Sequence, residues 1–175
     1  MSSSTKKLSI NAMGVALFVV LSLCLQVPVF ENYYLCLGYV VMTVYCYVVG
    51  TKSGTVVGTI GVFLYCLLIN GLRGMPGWAI GNLVLGIIIG ITFKNVKRLK
   101  NPVIEIIISS VMIIIGTAFA MLVVKSGIEC LLYSQPIWFR AAKNIYAFVA
   151  DAFIIILSLP ICRFLDPKLK KIMNK

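Results

Sequence analysis

Residues 35–70 read LCLGYVVMTVYCYVVGTKSGTVVGTIGVFLYCLLIN, and Lys52 is the only charged residue in this stretch. The apolar run on each side of Lys52 approaches the ~20 residues that cross a hydrocarbon core of ~30 Å. Neither run alternates apolar and polar residues as a membrane β-strand does. Because backbone polar groups in lipid must pair within the chain, runs of this length form helices. The stretch therefore predicts two transmembrane helices joined by a tight turn.

The rest of the chain has the same character. It has 175 residues, 61% of them hydrophobic and 12% charged, with a mean hydropathy of +1.03. A soluble domain averages nearer ~25% charged residues. We predict an all-α integral membrane protein, a single transmembrane domain over residues 1–175 with about six helices. The predicted helices lie near 8–26, 35–50, 55–70, 78–93, 102–124 and 140–164, with a longer loop over 125–139.

Lysine and arginine predict the orientation. Placing the N-terminus in the cytoplasm leaves four of the sixteen basic residues outside: Arg73, Lys125, Arg140 and Lys143. The other twelve fall in short cytoplasmic segments and the C-terminal tail, which is the positive-inside pattern. Both termini are therefore predicted to be cytoplasmic. The net charge of +11 follows from this topology, so we do not expect a nucleic-acid partner.

Catalytic and metal chemistry find little support in the sequence. The chain has no histidine, and its six cysteines form no C-x-x-C pair. It also lacks the phosphate-binding pattern G-x-x-x-x-G-K-[ST] and a G-x-S-x-G nucleophile. We expect no enzyme activity, no metal and no cofactor, so any active transport must draw its energy from other subunits or from an ion gradient. Whether Cys36 and Cys130 pair is left open by the sequence.

The first helix carries Ala12 and Ala16 in an Ala-x-x-x-Ala pattern, which lets another helix approach closely. This pattern is followed by the turn YVVGTKSGTVVG at 47–58 and then by PGWAIGN at 76–82. In this order, the three motifs resemble those of the substrate-binding S component of energy-coupling factor (ECF) vitamin transporters. The resemblance covers nearly the whole chain. It implies a bacterial plasma-membrane protein that binds a vitamin or related micronutrient outside. It also implies partners, namely a transmembrane coupling subunit that docks on Ala12 and Ala16 and two ATPase subunits.

Polar and aromatic residues predicted near the outer half are the candidates for substrate binding: Arg73, Trp78, Asn82, Trp138, Arg140, Asn144 and Asp151. Asp151 lies within a predicted helix, where an ionisable group costs at least ~2.5 kcal/mol and marks a functional candidate. Asn144 lies seven residues earlier, on nearly the same face. Hydrogen bonds that lock helices together are the alternative for these polar residues. For the tryptophans the alternative is the aromatic belt of the membrane interface.

The function predicted is therefore substrate capture for an ECF-type importer. A membrane scaffold similar to the MreD cell-shape proteins is the alternative, and retention of a small ligand by purified protein separates the two. A membrane enzyme lacks a paired nucleophile and base. A standalone carrier calls for two related halves, which the sequence does not show. The sequence does not identify the substrate.

Overall fold

The computed structural model describes residues 3–24, 26–30, 33–69, 75–99 and 101–173. These residues form a helical bundle with one short β-hairpin. In chain order, the elements are α1 (Ser3–Cys24), β1 (Gln26–Phe30), β2 (Tyr33–Cys36), α2 (Gly38–Val48), α3 (Thr51–Ile69), α4 (Met75–Val96), α5 (Pro102–Ala118), a π-helical segment (Phe119–Lys125), α6 (Ser126–Tyr133) and α7 (Ile137–Met173). α5, the π segment and α6 run on as one rod, so the described residues make six helical rods, as predicted.

Five of these rods are long and apolar enough to cross a membrane, whereas α2 has only 11 residues. At 1.5 Å per residue, α2 spans about 16 Å and does not cross a hydrocarbon core by itself. α1 begins and α7 ends at one end of the bundle, where Lys6 and Leu169 line the same cleft. We call this the terminal end and the opposite one the distal end.

The β-hairpin replaces the end of the predicted first helix and the start of the second. Gln26 pairs with Cys36, and Val27 pairs with Leu35, in an antiparallel ladder. Pro28 cannot continue a helix because it lacks an N–H and its ring clashes with the preceding turn. The β-branched and aromatic residues around it favour strands. The first helix therefore ends at Cys24, earlier than predicted, and the second begins at Gly38, later than predicted.

The turn between α2 and α3 falls at residues 49 and 50, before the predicted turn at 51–54. Gly50 has φ +122°, a left-handed conformation that glycine adopts without steric cost. Residues 51–54 instead form the first turn of α3, where the Gly54 N–H bonds the Gly50 carbonyl at 3.1 Å.

The predicted long loop over 125–139 is mostly helical. Asn101 caps α5 by accepting a hydrogen bond from the Val103 N–H at 3.0 Å, and Pro102 occupies its first turn. The rod then continues to Tyr133, and Ser134, with φ +51°, ends it. The connection to α7 is therefore only three residues long.

α2 is the centre of the bundle. Nine of its eleven residues are buried, and it contacts α1, α3, α4 and α7. Small residues allow the neighbouring rods to approach closely. A Cβ added to Gly86 of α4 would lie 2.8 Å from the Thr55 Cα of α3, and Gly90 meets Thr51 in the same way one turn later. These glycines therefore serve packing within the bundle.

A polar network ties the rods together at the terminal end. Tyr47 donates a hydrogen bond to Glu105 Oε1 at 2.7 Å, and Arg163 lies 3.9 Å from the other oxygen of that carboxylate. Lys97 donates to the Tyr47 carbonyl and pairs with Asp166 at 3.1 Å. Burial lowers the pKa of the Lys97 ammonium, and the contact with Asp166 partly offsets this. Ends of α2, α4, α5 and α7 are joined in this way.

The sequence leaves open whether Cys36 and Cys130 form a disulfide. Cys36 and Cys130 are free thiols. Cys36 is buried and lies 3.1 Å from the Ser22 hydroxyl, whereas Cys130 is only partly buried.

Candidate functional site

The distal end holds a set of polar and aromatic side chains that meet between the rods, which we call the distal cluster. α2, α4, the π segment, α6 and α7 contribute to it. Its members are Tyr39, Trp78, Asn82, Lys125, Ser126, Glu129, Asn144 and Asp151. All except the half-buried Trp78 are buried, and the exposed fraction is 0% for Asn82, 2% for Asn144 and 4% for Asp151.

One half of the distal cluster is a directional chain of hydrogen bonds. The Trp78 indole N–H donates to the Tyr39 hydroxyl at 2.9 Å, and that hydroxyl donates to Asn82 Oδ1 at 2.8 Å. Asn82 Nδ2 in turn donates to the Gly58 carbonyl of α3 at 3.3 Å. Both ends of the Asn82 amide are therefore used within the protein, and this residue positions Tyr39 and Trp78.

The other half centres on Asn144 of α7. Its Nδ2 donates to Ser126 Oγ and to Glu129 Oε2, both at 3.0 Å. The Ser126 hydroxyl donates to the Met121 carbonyl at 3.1 Å. Asn144 thus joins α7 to α6 and fixes the orientation of the Glu129 carboxylate.

Lys125 lies between these two halves with its ammonium incompletely partnered. The residue is 8% exposed. Its Nζ is 4.0 Å from Glu129 Oε1, beyond hydrogen-bonding distance, and 5.7 Å from the centroid of the Trp78 ring. Within the described part of the chain, this ammonium makes no hydrogen bond. An ammonium carries three N–H donors, and burying it is costly unless other groups meet it.

Asp151 brings a second carboxyl group to the same place. Its carboxyl interacts with the Tyr39 hydroxyl and with the charge of Lys125. Asp151 therefore lies near both the Tyr39 hydroxyl and the charged side chain of Lys125.

The π segment explains how Lys125 and Glu129 reach the interior. In the rod that begins at Pro102, inward positions such as Glu105, Ile113 and Met121 are followed by Lys125 and Glu129, all of them buried. A π turn bonds residue i to i+5 and so changes the direction in which later side chains point. Such segments occur frequently at functional sites.

The predicted site residues divide into three groups. Trp78, Asn82, Asn144 and Asp151 lie together in the distal cluster. Trp138 does not, because it is 70% exposed and contacts Phe139. Arg140 lies one turn before Asn144 but stacks over the Tyr133 ring at 4.3 Å. Arg73 lies outside the described residues.

Sequence reasoning missed four members of the distal cluster: Tyr39, Lys125, Ser126 and Glu129. The sequence predicts a loop over 125–139 that contains Lys125 and Glu129, and Lys125 counts among the four basic residues on the outer side. The i, i+4 spacing of these two opposite charges at the end of a long apolar run was the available indication that the helix continues. Tyr39 carried no comparable indication, because a tyrosine near a helix end is also typical of the interface belt.

Comparison with known proteins supports the helical membrane fold described above. The sequence matches the family described as "ECF-type riboflavin transporter, S component" over residues 2–166. The chain belongs to this family. A solved structure similar to this S component is described as "Crystal structure at 2.1 A of the S-component for biotin from an ECF-type ABC transporter". It shares 22% sequence identity and a TM-score of 0.65, and the match covers 94% of each chain. No curated protein matches the sequence.

Family membership confirms the predicted class of function. The chain is a substrate-binding, multi-pass membrane subunit of an ECF vitamin transporter, and it is not an enzyme. Such S components work with a membrane coupling subunit and two ATPases. The scaffold alternative is not favoured.

Proposed function

We propose that this S component captures riboflavin, or a vitamin with the same planar ring system, in the distal cluster. The proposal rests mainly on one observation, the convergence of buried polar groups from five elements beside an indole ring. The description of the family, which names riboflavin, supports the choice of ligand. Trp78, Asn82, Asn144 and Asp151 are the predicted site residues that the proposal retains.

The aromatic and polar groups suit a planar heterocycle. Trp78 meets Tyr65 edge to face, with ring centroids 5.7 Å apart, and Lys125 Nζ lies 5.7 Å from the centroid of the indole. Small-molecule sites combine aromatic walls with a few convergent polar groups in this way. In the proposal Asn82 holds Tyr39 and Trp78 in place, and Lys125, Glu129, Asn144 and Asp151 supply the polar contacts. Arg140 borders the site on α7, while Arg73 and Trp138 remain predictions for its surroundings.

The proposal places the distal end outside the cell. Twelve of the sixteen basic residues then lie on the cytoplasmic side with both termini, in accord with the positive-inside rule. A ligand that reaches the distal cluster from outside would be separated from the cytoplasm by the terminal-end network of Tyr47, Glu105, Lys97 and Asp166.

Delivery is proposed to use α1. Ala12 and Ala16 are exposed on this helix, so a second helix can approach its backbone closely. Beside them an apolar cleft of about 570 Å³ opens between α1 and α7, with α2 as its floor. Met13 and Leu17 line its α1 wall. This surface is the proposed docking site of the coupling subunit.

A titration of the purified full-length chain tests the proposal. Riboflavin fluorescence should be quenched on binding, and the protein should melt at a higher temperature with riboflavin than without it, because a ligand of the native state stabilises it. Mass spectrometry of gently purified protein should detect the bound flavin. Failure of riboflavin to bind the folded, monodisperse protein would overturn the choice of ligand.

A further inference from the structure

Lys125 and Glu129 form an incomplete pair inside the distal cluster. Their charged atoms are 4.0 Å apart, so they lie side by side without a hydrogen bond between them. A single edge of a ligand could contact both. The exposed fractions are 8% for Lys125 and 6% for Glu129, so the pair is largely shielded from bulk water.

The Lys125 ammonium requires an acceptor. Among the described residues it lies near the Glu129 carboxylate and the Trp78 ring, and an ammonium has three N–H donors. A buried donor without a partner loses the hydrogen bonds that it makes in water. A ligand carbonyl group at this position would remove that cost.

The Glu129 carboxylate requires a donor. Asn144 bonds Oε2 at 3.0 Å, which leaves Oε1 facing Lys125 with unused acceptor capacity. The Asp151 carboxyl also lies within the field of Lys125. Two carboxyl groups beside one ammonium oppose a carboxylate or phosphate at this position, since like charges brought together are strongly unfavourable.

We infer that Lys125 and Glu129 recognise the edge of a cyclic amide, imide or ureide, in which a carbonyl oxygen lies next to an N–H. Lys125 donates to the carbonyl oxygen, and Glu129 accepts from the N–H. This assignment rests on the proposed function and deepens it, because the pyrimidine ring of a flavin presents N3–H between two carbonyl groups. Lys125 and Glu129 are then the residues that determine ligand specificity.

Two ligands and three variants test the assignment. Riboflavin and 3-methylriboflavin differ only at N3, where the methyl group removes the donor. We expect 3-methylriboflavin to bind the unmodified chain about tenfold or more weakly than riboflavin, the effect of one lost charge-assisted hydrogen bond. Lys125→Met, which keeps the length of the side chain, should weaken riboflavin binding by a similar factor. Lys143→Met removes the same charge from an exposed position on α7 and should leave affinity unchanged.

The third variant, Glu129→Gln, tests whether the N3–H of the flavin and the Glu129 carboxylate take part in the same contact. In Glu129→Gln the penalty for N3 methylation should shrink, because a neutral amide accepts a weaker hydrogen bond than a carboxylate. Equal binding of the two flavins, or a methylation penalty that is identical in Glu129→Gln, would overturn the assignment while leaving the riboflavin proposal intact. The comparison of the two flavins uses the unmodified chain, so it tests the assignment even if a variant does not fold.

Absence of riboflavin binding would overturn the proposed function instead. The edge assignment is then tested with another cyclic ureide, biotin amide, against its ring-N-methylated form. Preference for the unmethylated ligand would support the assignment without riboflavin. Failure of both heterocycles to bind would overturn the assignment as well.

Discussion

Asn144 of α7 donates a hydrogen bond of 3.0 Å to Glu129 Oε2 of α6, and this bond orients the carboxylate beside Lys125. The same Nδ2 also reaches Ser126 Oγ. One amide thus links two rods and sets the geometry of two charged side chains. A change at Asn144 should therefore affect ligand binding both through its own contacts and through Glu129.

Replacing Asn144 with alanine should weaken ligand binding about five- to a hundredfold. The change removes the amide donor that bonds Glu129 Oε2 and Ser126 Oγ, and losing such a buried hydrogen-bond partner costs ~1–3 kcal/mol. Titration of riboflavin into the purified variant measures the effect. Unchanged affinity in a folded, monodisperse variant would move the site away from α7.

Replacing Asp151 with alanine should weaken ligand binding by a similar factor, whereas Asp151→Asn should weaken it less. The amide retains polar atoms beside the Tyr39 hydroxyl, and alanine retains none. Affinity and melting temperature are measured together for both variants. A fall in melting temperature with constant affinity would favour the alternative in which Asp151 only locks helices together.

Tyr39 and Asn82 should be energetically coupled. Tyr39→Phe removes the hydroxyl that bonds Trp78 and Asn82, and Asn82→Leu removes the acceptor and the donor to the Gly58 carbonyl. Residues in one hydrogen-bond network show interaction energies of ~0.5–3 kcal/mol. The double variant should therefore lose less stability than the sum of the single variants. Strictly additive losses of stability in thermal or denaturant unfolding would show that the hydrogen bonds of Tyr39 and Asn82 do not act as a unit.

The helical class could be predicted because charges and helix breakers interrupt the apolar runs. The hairpin could not, since a short apolar segment with aromatic and β-branched residues has no periodicity that separates strand from helix. Pro28 indicates only approximately where the first helix ends. The sequence predicts Gly50 as the last residue of the second helix, and only its φ of +122° shows that it forms the turn.

The candidate site was partly predictable for a related reason. Asn144 and Asp151 stand out as polar residues within a long apolar run, where their cost requires an explanation. Lys125 and Glu129 did not stand out, because polar residues after an apolar run look like the start of a loop. Trp138 is a candidate because it is aromatic and lies in the predicted outer half, and neither property reveals that it is 70% exposed.

The orientation can be tested with reporters fused to the C-terminus. The twelve basic residues assigned to the cytoplasm predict that green fluorescent protein at this position will fluoresce and that alkaline phosphatase will be inactive. The phosphatase needs disulfides that form outside the cytoplasm. An active phosphatase fusion would reverse the orientation and place the distal cluster on the inner side.

Ala12 and Ala16 should matter for transport and not for ligand capture. Both are exposed on α1, whereas the distal cluster draws its members from α2, α4, the π segment, α6 and α7. Replacing both alanines with leucine, or with tryptophan, places bulk where close helix approach requires small residues. Uptake by cells that also produce the coupling subunit and the ATPases should be abolished, and co-purification with the coupling subunit should be lost.

The matched control is Ala142→Leu, because Ala142 is also exposed but lies on α7 near the distal end. This variant should bind the coupling subunit normally. Riboflavin affinity of the Ala12/Ala16 double variant should equal that of the unmodified chain, since no member of the distal cluster is changed. Normal uptake by the double variant would exclude α1 as the docking surface. Loss of riboflavin binding together with uptake would instead assign the two alanines to packing that the ligand site depends on.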